Sequence, residues 1–111
     1  MSKIPYVFIA FPTEIYDAIL IYGFSKSQLK ALLYIVRKTF GYGKPSGDYI
    51  SISKMAKEIG FSRQCISGAV NDLEKMGVID TERSGKTSVI FMQVNEPRHW
   101  GRRADMPEKW W

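Results

Sequence analysis

Apolar residues recur at helical spacing over the first forty positions and predict two helices. The first helix is expected to begin near Pro12, whose fixed φ suits a first helical turn, and to end at Gly23. Its inner face is expected to carry Ile15, Ile19 and Tyr22.

Ser25 and Gln28 stand at the spacing of a capping box and mark the start of the second helix. Gly41 follows the last apolar position and is expected to end this helix in the left-handed conformation. The predicted buried stripe consists of Leu29, Leu32, Leu33, Val36 and Phe40.

After a glycine-containing loop, the pattern predicts a short strand and then two helices in close succession. The strand is expected at 49–52, and Ser53 is expected to cap a short helix that ends at Gly60. Ser62 is expected to cap a longer helix that ends at Gly77. The predicted buried positions are Met55, Ala56 and Ile59 in the short helix and Ile66, Ala69, Val70 and Leu73 in the longer one. Two helices joined by so short a turn are typical of a helix-turn-helix unit.

Alternating positions then predict a β-hairpin, with strands at 78–82 and 89–94 joined by a polar turn at 83–88. A hairpin directly after such a unit supplies a wing. The predicted fold class is therefore a mostly α (α+β) winged helix-turn-helix of three to four helices, a short strand and a C-terminal hairpin. Residues 1–94 are assigned to this domain. Residues 95–111 are expected to form an extended basic tail in which Trp100 packs back onto the domain.

Composition fits one modest domain. The chain has 111 residues, of which 45% are hydrophobic and 24% charged, and its net charge of +5 permits a polyanionic partner without showing one. The single Cys65 rules out an internal disulfide and is expected to pack near the border of the buried stripe. No apolar run is long enough to span a membrane and no export signal is evident, so a cytoplasmic location is predicted.

The outer face of the longer helix carries residue types that read bases in DNA. An α-helix fits the major groove, where Arg pairs with guanine and Gln or Asn with adenine, and a helix N-terminus attracts phosphate. Small residues at Ser67 and Gly68 allow a close approach, and the acids Asp72 and Glu74 come only in the far half. The candidate recognition residues are Ser62, Arg63, Gln64, Ser67 and Asn71.

Arg83, Ser84 and Lys86 at the hairpin tip are the candidate wing contacts, although a solvated turn would use the same residue types. Five of the other basic side chains are expected to surround a helix and loop that face away from DNA, although some of them could contact flanking DNA backbone. They are Lys26, Lys30, Arg37, Lys38 and Lys44.

Several short motifs resemble the N-terminal domain of phage replication protein O. The most specific is the Arg-Lys-Thr-Phe-Gly-Tyr run at 37–42. The others stand at 11–14, 29–33, 48–51, 56, 60–63, 67, 73 and 77–79. This resemblance implies a winged helix that binds repeats at a phage replication origin inside a bacterial host cell. Full-length members also carry a C-terminal part that engages the replicative helicase, and residues 95–111 are too few to supply it, so DNA binding is expected rather than initiation by this chain alone.

Sequence-specific binding of double-stranded DNA is the predicted function. Two alternatives stay open: a phage transcription regulator, and a winged-helix module that binds a host protein as an inhibitor or adaptor. Replication proteins and a second copy of the chain are further candidate partners, and no membrane is expected. The Gly-rich run at 41–46 lacks the Ser or Thr that a phosphate loop places after its lysine, and His99 lies alone in the tail, so neither an enzyme, a cofactor nor a metal is expected.

Overall fold

The structure, a computed structural model, describes residues 8–83 and 89–101, which form four α-helices and a three-stranded antiparallel sheet. The helices are α1 (Thr13–Ile21), α2 (Lys26–Thr39), α3 (Ile52–Ile59) and α4 (Arg63–Lys75). The strands are β1 (Asp48–Ser51), β2 (Ile79–Arg83) and β3 (Val89–Val94). Short 3₁₀ turns, Phe40–Tyr42 and Pro97–His99, follow α2 and β3. The fold is therefore mixed α and β, with the predicted order of helices and strands.

Local capping signals fix most of the helix ends. The Ser25 hydroxyl accepts a hydrogen bond from the Gln28 N–H at 3.2 Å, and the Gln28 side chain accepts one from the Ser25 N–H at 3.0 Å, which confirms the capping box. Ser62 caps α4 as predicted. Gly60 and Gly77 lie at φ +88° and +75° beyond the ends of α3 and α4, a region that favours glycine.

Two predicted helix ends are wrong. Helix α3 is capped by Ser51 instead of Ser53, because β1 ends at Ser51 and its hydroxyl accepts a hydrogen bond from the Lys54 N–H at 3.2 Å. Helix α2 is followed by a 3₁₀ turn, so the left-handed glycine is Gly43 (φ +68°) and not Gly41.

The buried stripe of α2 also differs from the prediction. Leu33 is 46% exposed, and Leu29 and Phe40 are half-buried. The buried positions are Ala31, Leu32, Ile35, Val36 and Thr39. Thr39 tolerates burial because its hydroxyl donates to the Ile35 carbonyl at 2.8 Å. The difference arises because α4, α3 and the sheet together cover α2, and this tertiary cover selects among several apolar positions.

The prediction for α4 is confirmed, since Ile66, Ala69, Val70 and Leu73 are all buried. In α3, Met55 and Ala56 are buried as predicted, whereas Ile59 is half-buried.

The sheet has the strand order β1-β3-β2. Ser51 at the end of β1 pairs with Val89 at the start of β3, and Arg83 at the end of β2 pairs with Ile90. Helix α3 begins directly after Ser51, so its N-terminus lies beside the base of the hairpin tip. The tip itself, 84–88, lies outside the described residues.

Residues 95–101 turn back onto the helices instead of continuing as the extended tail that the sequence predicted. They include a 3₁₀ turn, and the buried Trp100 donates through Nε1 to the Asn95 carbonyl at 3.0 Å. The expected packing of Trp100 against the domain is thus confirmed. The rest of the predicted tail, 102–111, lies outside the described residues.

Candidate nucleic-acid interface

The predicted recognition residues of α4 share one exposed face. Arg63, Ser67 and Asn71 follow one another at intervals of four residues and form one row, and Gln64 and Gly68 form the neighbouring row. The opposite face of α4 is buried against α2 and α3, so the helix presents these side chains to solvent in a fixed orientation.

The N-terminus of α4 is open to an anion. Ser62 accepts a hydrogen bond from the Cys65 N–H at 3.1 Å, and its hydroxyl keeps a proton to donate. The first turn contains no acidic residue. The unpaired N–H groups of a first turn and the positive end of the helix dipole both favour phosphate.

Negative charge on α4 lies towards its far end. Asp72 is nine residues beyond Arg63, about 14 Å along a helix axis. Its carboxylate accepts a hydrogen bond from the Gln28 side chain at 3.2 Å, which links α4 to the start of α2. Glu74 is half-buried. The charge order in the sequence thus becomes a spatial separation along the helix.

The sequence predicted the surroundings of two small residues of α4, Gly68 and Cys65. Apart from its chain neighbours and the backbone of its own helix, a β-carbon at Gly68 would meet no heavy atom of the described residues within 4 Å, so the middle of the exposed face is open, as the close-approach interpretation requires. Cys65 is exposed, and its predicted packing at the border of the stripe is wrong. The reason is that the buried stripe begins one residue later, at Ile66.

Of the predicted wing contacts, Arg83 lies within the described residues. It is exposed at the end of β2. Ser84 and Lys86 lie outside the described residues.

A second basic surface crosses α2 and α3, and the sequence prediction missed its arrangement. Lys30 Nζ lies 5.7 Å from the centroid of the Phe61 ring, which belongs to the turn between α3 and α4. Four residues further along α2, the Tyr34 hydroxyl interacts with Glu58 of α3. The two helices therefore run antiparallel here, and a cation of α2 reaches the turn between α3 and α4.

Aromatic rings also lie next to two further cations of α2, Arg37 and Lys38. Lys38 Nζ lies 5.3 Å from the centroid of Tyr34 and 5.5 Å from that of Tyr42, and the Arg37 guanidinium lies 4.9 Å from the Tyr42 centroid. A periodicity argument along α2 could not find this arrangement, because Tyr34 and Lys38 resemble an ordinary solvated helix face.

The Tyr34–Glu58 contact perturbs both groups. Burial, reinforced by the Glu58 carboxylate, raises the pKa of the Tyr34 hydroxyl well above its ordinary value. The hydrogen bond from Tyr34 lowers the pKa of Glu58. At neutral pH the tyrosine therefore donates and the carboxylate accepts.

Within residues 8–83 and 89–101, no group of three His, Cys, Asp or Glu side chains could hold a metal ion. None of the helices in this part of the chain has the length and apolar character needed to cross a membrane.

The sequence profile of bacteriophage replication protein O matches residues 2–96. The chain belongs to the bacteriophage replication protein O family. Membership of the replication protein O family connects the chain to phage DNA replication and to DNA binding, as the resemblance implied.

Two archaeal proteins are also similar to this chain. An uncharacterized protein of Pyrococcus abyssi (strain GE5 / Orsay) is 33% identical over 67 residues, which cover 60% of this chain and 18% of that protein. An uncharacterized protein of Pyrococcus horikoshii is 39% identical over 44 residues, which cover 40% of this chain and 13% of that protein. The matched segments thus span less than a fifth of the length of either relative.

Proposed function

We propose that this chain is a winged helix-turn-helix domain that binds double-stranded DNA sequence-specifically at a phage replication origin. The observation that carries the proposal is the exposed face of α4. There Arg63, Gln64, Ser67 and Asn71 stand together on a helix whose other side is buried, in a protein of a phage replication family.

The arrangement of α3, α4 and the hairpin supports the winged-helix interpretation. A three-residue turn joins α3 to α4, and β2 and β3 follow α4 directly. Strand β1 completes the sheet next to β3. A second helix that enters the major groove is the established mode of a helix-turn-helix unit, and the hairpin then lies over neighbouring backbone.

Each site residue has a distinct role in this proposal. Arg63 and Gln64, at the leading end of α4, pair with guanine and adenine, and Asn71 reads a further base. Ser67 and Gly68 let the helix backbone approach the groove. Phosphates are bound by the Ser62 hydroxyl and the first-turn N–H groups. Arg83, Ser84 and Lys86 contact backbone from the wing. The protein acts by binding, without catalysis, cofactor or metal.

Replacing Arg63 tests the assignment. Arg63→Ala is expected to cost about 1–3 kcal/mol on a duplex selected from a random pool and to relax the preference at one base pair. Lys75→Ala is the matched control, because it removes the same charge from an exposed position at the far end of α4. Fluorescence anisotropy measures the affinity of both variants for the duplex. The titration is repeated over a series of salt concentrations, since phosphate contacts make log K fall linearly with log salt. Equal losses in the two variants would contradict base reading by Arg63.

One observation favours a protein partner instead. Tyr16 and Leu20 lie one helical turn apart on α1 and are 54% and 68% exposed. Apolar surface of this kind marks contact sites for proteins, such as a host protein, another replication protein or a second copy of the chain. Salt-insensitive binding to a protein, without binding to any duplex, is the result expected from that alternative.

A further inference from the structure

A cleft of about 150 Å³ lies between α2, β1 and the N-terminus of α3, outside the exposed face of α4. Because Ser51 pairs with Val89, the cleft is also close to the base of the hairpin tip. Its polar and aromatic lining consists of Tyr34, Lys38, Asp48, Tyr49, Ser51 and Lys54.

Tyr49 gives the cleft an aromatic wall. It is 64% exposed although it lies in a strand, since it projects from the outer face of the sheet. Its cross-strand partner is Phe91, whose ring packs against it with centroids 5.3 Å apart and planes at 70°. A large ring that is both exposed and supported from one side is a platform on which a flat ligand can stack.

The cleft and its surroundings carry a net positive charge. Asp48 already forms a salt bridge with Lys44 at 3.3 Å and accepts a hydrogen bond from the Tyr49 N–H at 2.8 Å. Lys38 and Lys54 form no salt bridge with any residue of the described part of the chain. The nearby Glu58 keeps its negative charge, because the hydrogen bond from Tyr34 and both lysines lower its pKa, and it offsets part of their charge. Lys38, Lys44 and Lys54 together still exceed Asp48 and Glu58 by one positive charge.

We propose that this cleft binds single-stranded DNA, with one base stacked on Tyr49 and the adjoining phosphates bound by Lys38 and Lys54. Aromatic rings interleaved with cations are the usual means of holding unpaired strands, because every base offers a π-face to stack on. In a duplex those faces are covered by neighbouring base pairs. The occupant that matches an exposed ring in the same cleft as two lysines is therefore an unpaired strand. This site uses none of the residues assigned to duplex recognition on α4.

Binding of a fluorescently labelled oligo(dT) of about 12 nucleotides to the full chain, followed by anisotropy, tests the proposal. Tyr49→Ala is expected to weaken binding roughly 5- to 150-fold, which corresponds to the loss of one stacked base. Tyr49→Phe keeps the ring and is expected to bind as the unchanged protein does. Tyr16→Ala is the matched control, because it removes a comparably exposed tyrosine from α1. Lys38→Ala and Lys54→Ala are each expected to reduce the slope of log K against log salt by about 0.7.

The same variants, titrated with the selected duplex, separate the two sites. Arg63→Ala is expected to weaken duplex binding and to leave oligo(dT) binding unchanged, whereas Tyr49→Ala is expected to do the reverse. The proposal is overturned if the chain does not bind oligo(dT), or if Tyr16→Ala loses as much affinity as Tyr49→Ala. It is also overturned if Tyr49→Ala weakens duplex and oligo(dT) binding by the same factor, because the cleft would then be part of the duplex surface. If the unchanged protein does not bind duplex DNA, the proposed function is contradicted. The oligo(dT) titration then still decides whether the cleft binds single-stranded DNA.

Discussion

The indole ring of Trp100 stands edge-on to the phenol ring of Tyr22, with centroids 5.3 Å apart and planes at 74°. Tyr22 is the C-cap residue that directly follows α1, so this contact joins the segment after the sheet to the first helix. Trp100 is 3% exposed. Residues 95–101 therefore contribute to the hydrophobic core, and their removal would open it beside α1.

Trp100→Ala is expected to lower the free energy of unfolding by about 3–5 kcal/mol, because it removes a large buried ring and leaves a cavity. Urea denaturation measures this loss. The neighbouring His99 is exposed, and His99→Ala is expected to change stability by no more than about 0.5 kcal/mol. If both variants unfold at the same urea concentration, Trp100 does not pack as described.

Ser51 and Ser53 provide a direct test of where α3 begins. Ser51→Ala is expected to cost about 1 kcal/mol, because the Lys54 N–H loses its capping partner. Ser53→Ala is expected to be nearly neutral, since Ser53 is exposed inside the helix and alanine is the better helix former. Thermal unfolding of the two variants compares them. If Ser53→Ala is instead the more destabilising of the two, α3 is capped by Ser53, as the sequence predicted.

At Gly68, a substitution is expected to change stability and the proposed DNA binding in opposite directions. Gly68→Ala is expected to stabilise the protein by about 0.5–1 kcal/mol, because the site is open and glycine is a poor helix former. The same methyl group is expected to weaken duplex binding, since it occupies the surface that is proposed to approach the groove. Chemical denaturation and anisotropy measure the two effects.

Gly60→Ala is the control for this pair of effects. A β-carbon there would also meet open space, but φ is +88°, so the change is expected to destabilise the protein by about 1 kcal/mol or more. A Gly68→Ala variant that is more stable and binds duplex DNA with unchanged affinity would argue against a close approach of α4 to the groove.

Tyr34 is expected to make stability sensitive to alkaline pH. Its pKa is raised in the folded protein, so its contribution is fully present below the pKa of the unfolded side chain, about 10, and is lost as the pH rises through the higher folded value. The free energy of unfolding should therefore fall with rising pH in this range, and Tyr34→Phe should fall less steeply. Urea denaturation at several alkaline pH values measures both slopes. Tyr16→Phe is the control. If the free energy of unfolding falls with pH as steeply in Tyr34→Phe as in the unchanged protein, this assignment is contradicted.

The predictable parts of the fold are those with one local solution. In α4, the N-cap Ser62 and the terminal Gly77 enclose a single set of apolar positions at helical spacing, and the structure buries that set. In α2, Leu33 and Ile35 are both apolar, and the elements packed around the helix decide which is buried. Ser51 and Ser53 can both cap a helix, so the end of β1 decides between them.

The candidate site follows the same division. The polar face of α4 is the complement of its buried stripe, so its residues could be named from the sequence alone. The cleft beside Tyr49 could not, because its lining comes from α2, β1 and α3 and is assembled by tertiary packing. The alternation at 49–52 gives one local signal, since it places Tyr49 and Ile50 on opposite faces of the strand.

The Gly101 N–H donates a hydrogen bond to the Met76 carbonyl, which places residue 101 beside the C-terminal end of α4. Met76 caps the C-terminal end of α4, whereas the proposed duplex contact lies at the N-terminal end, about 20 Å away along a helix of 13 residues. Residue 101 therefore lies at the end of α4 opposite the proposed duplex contact. A domain or a fluorescent label fused directly after this residue would be attached away from that contact.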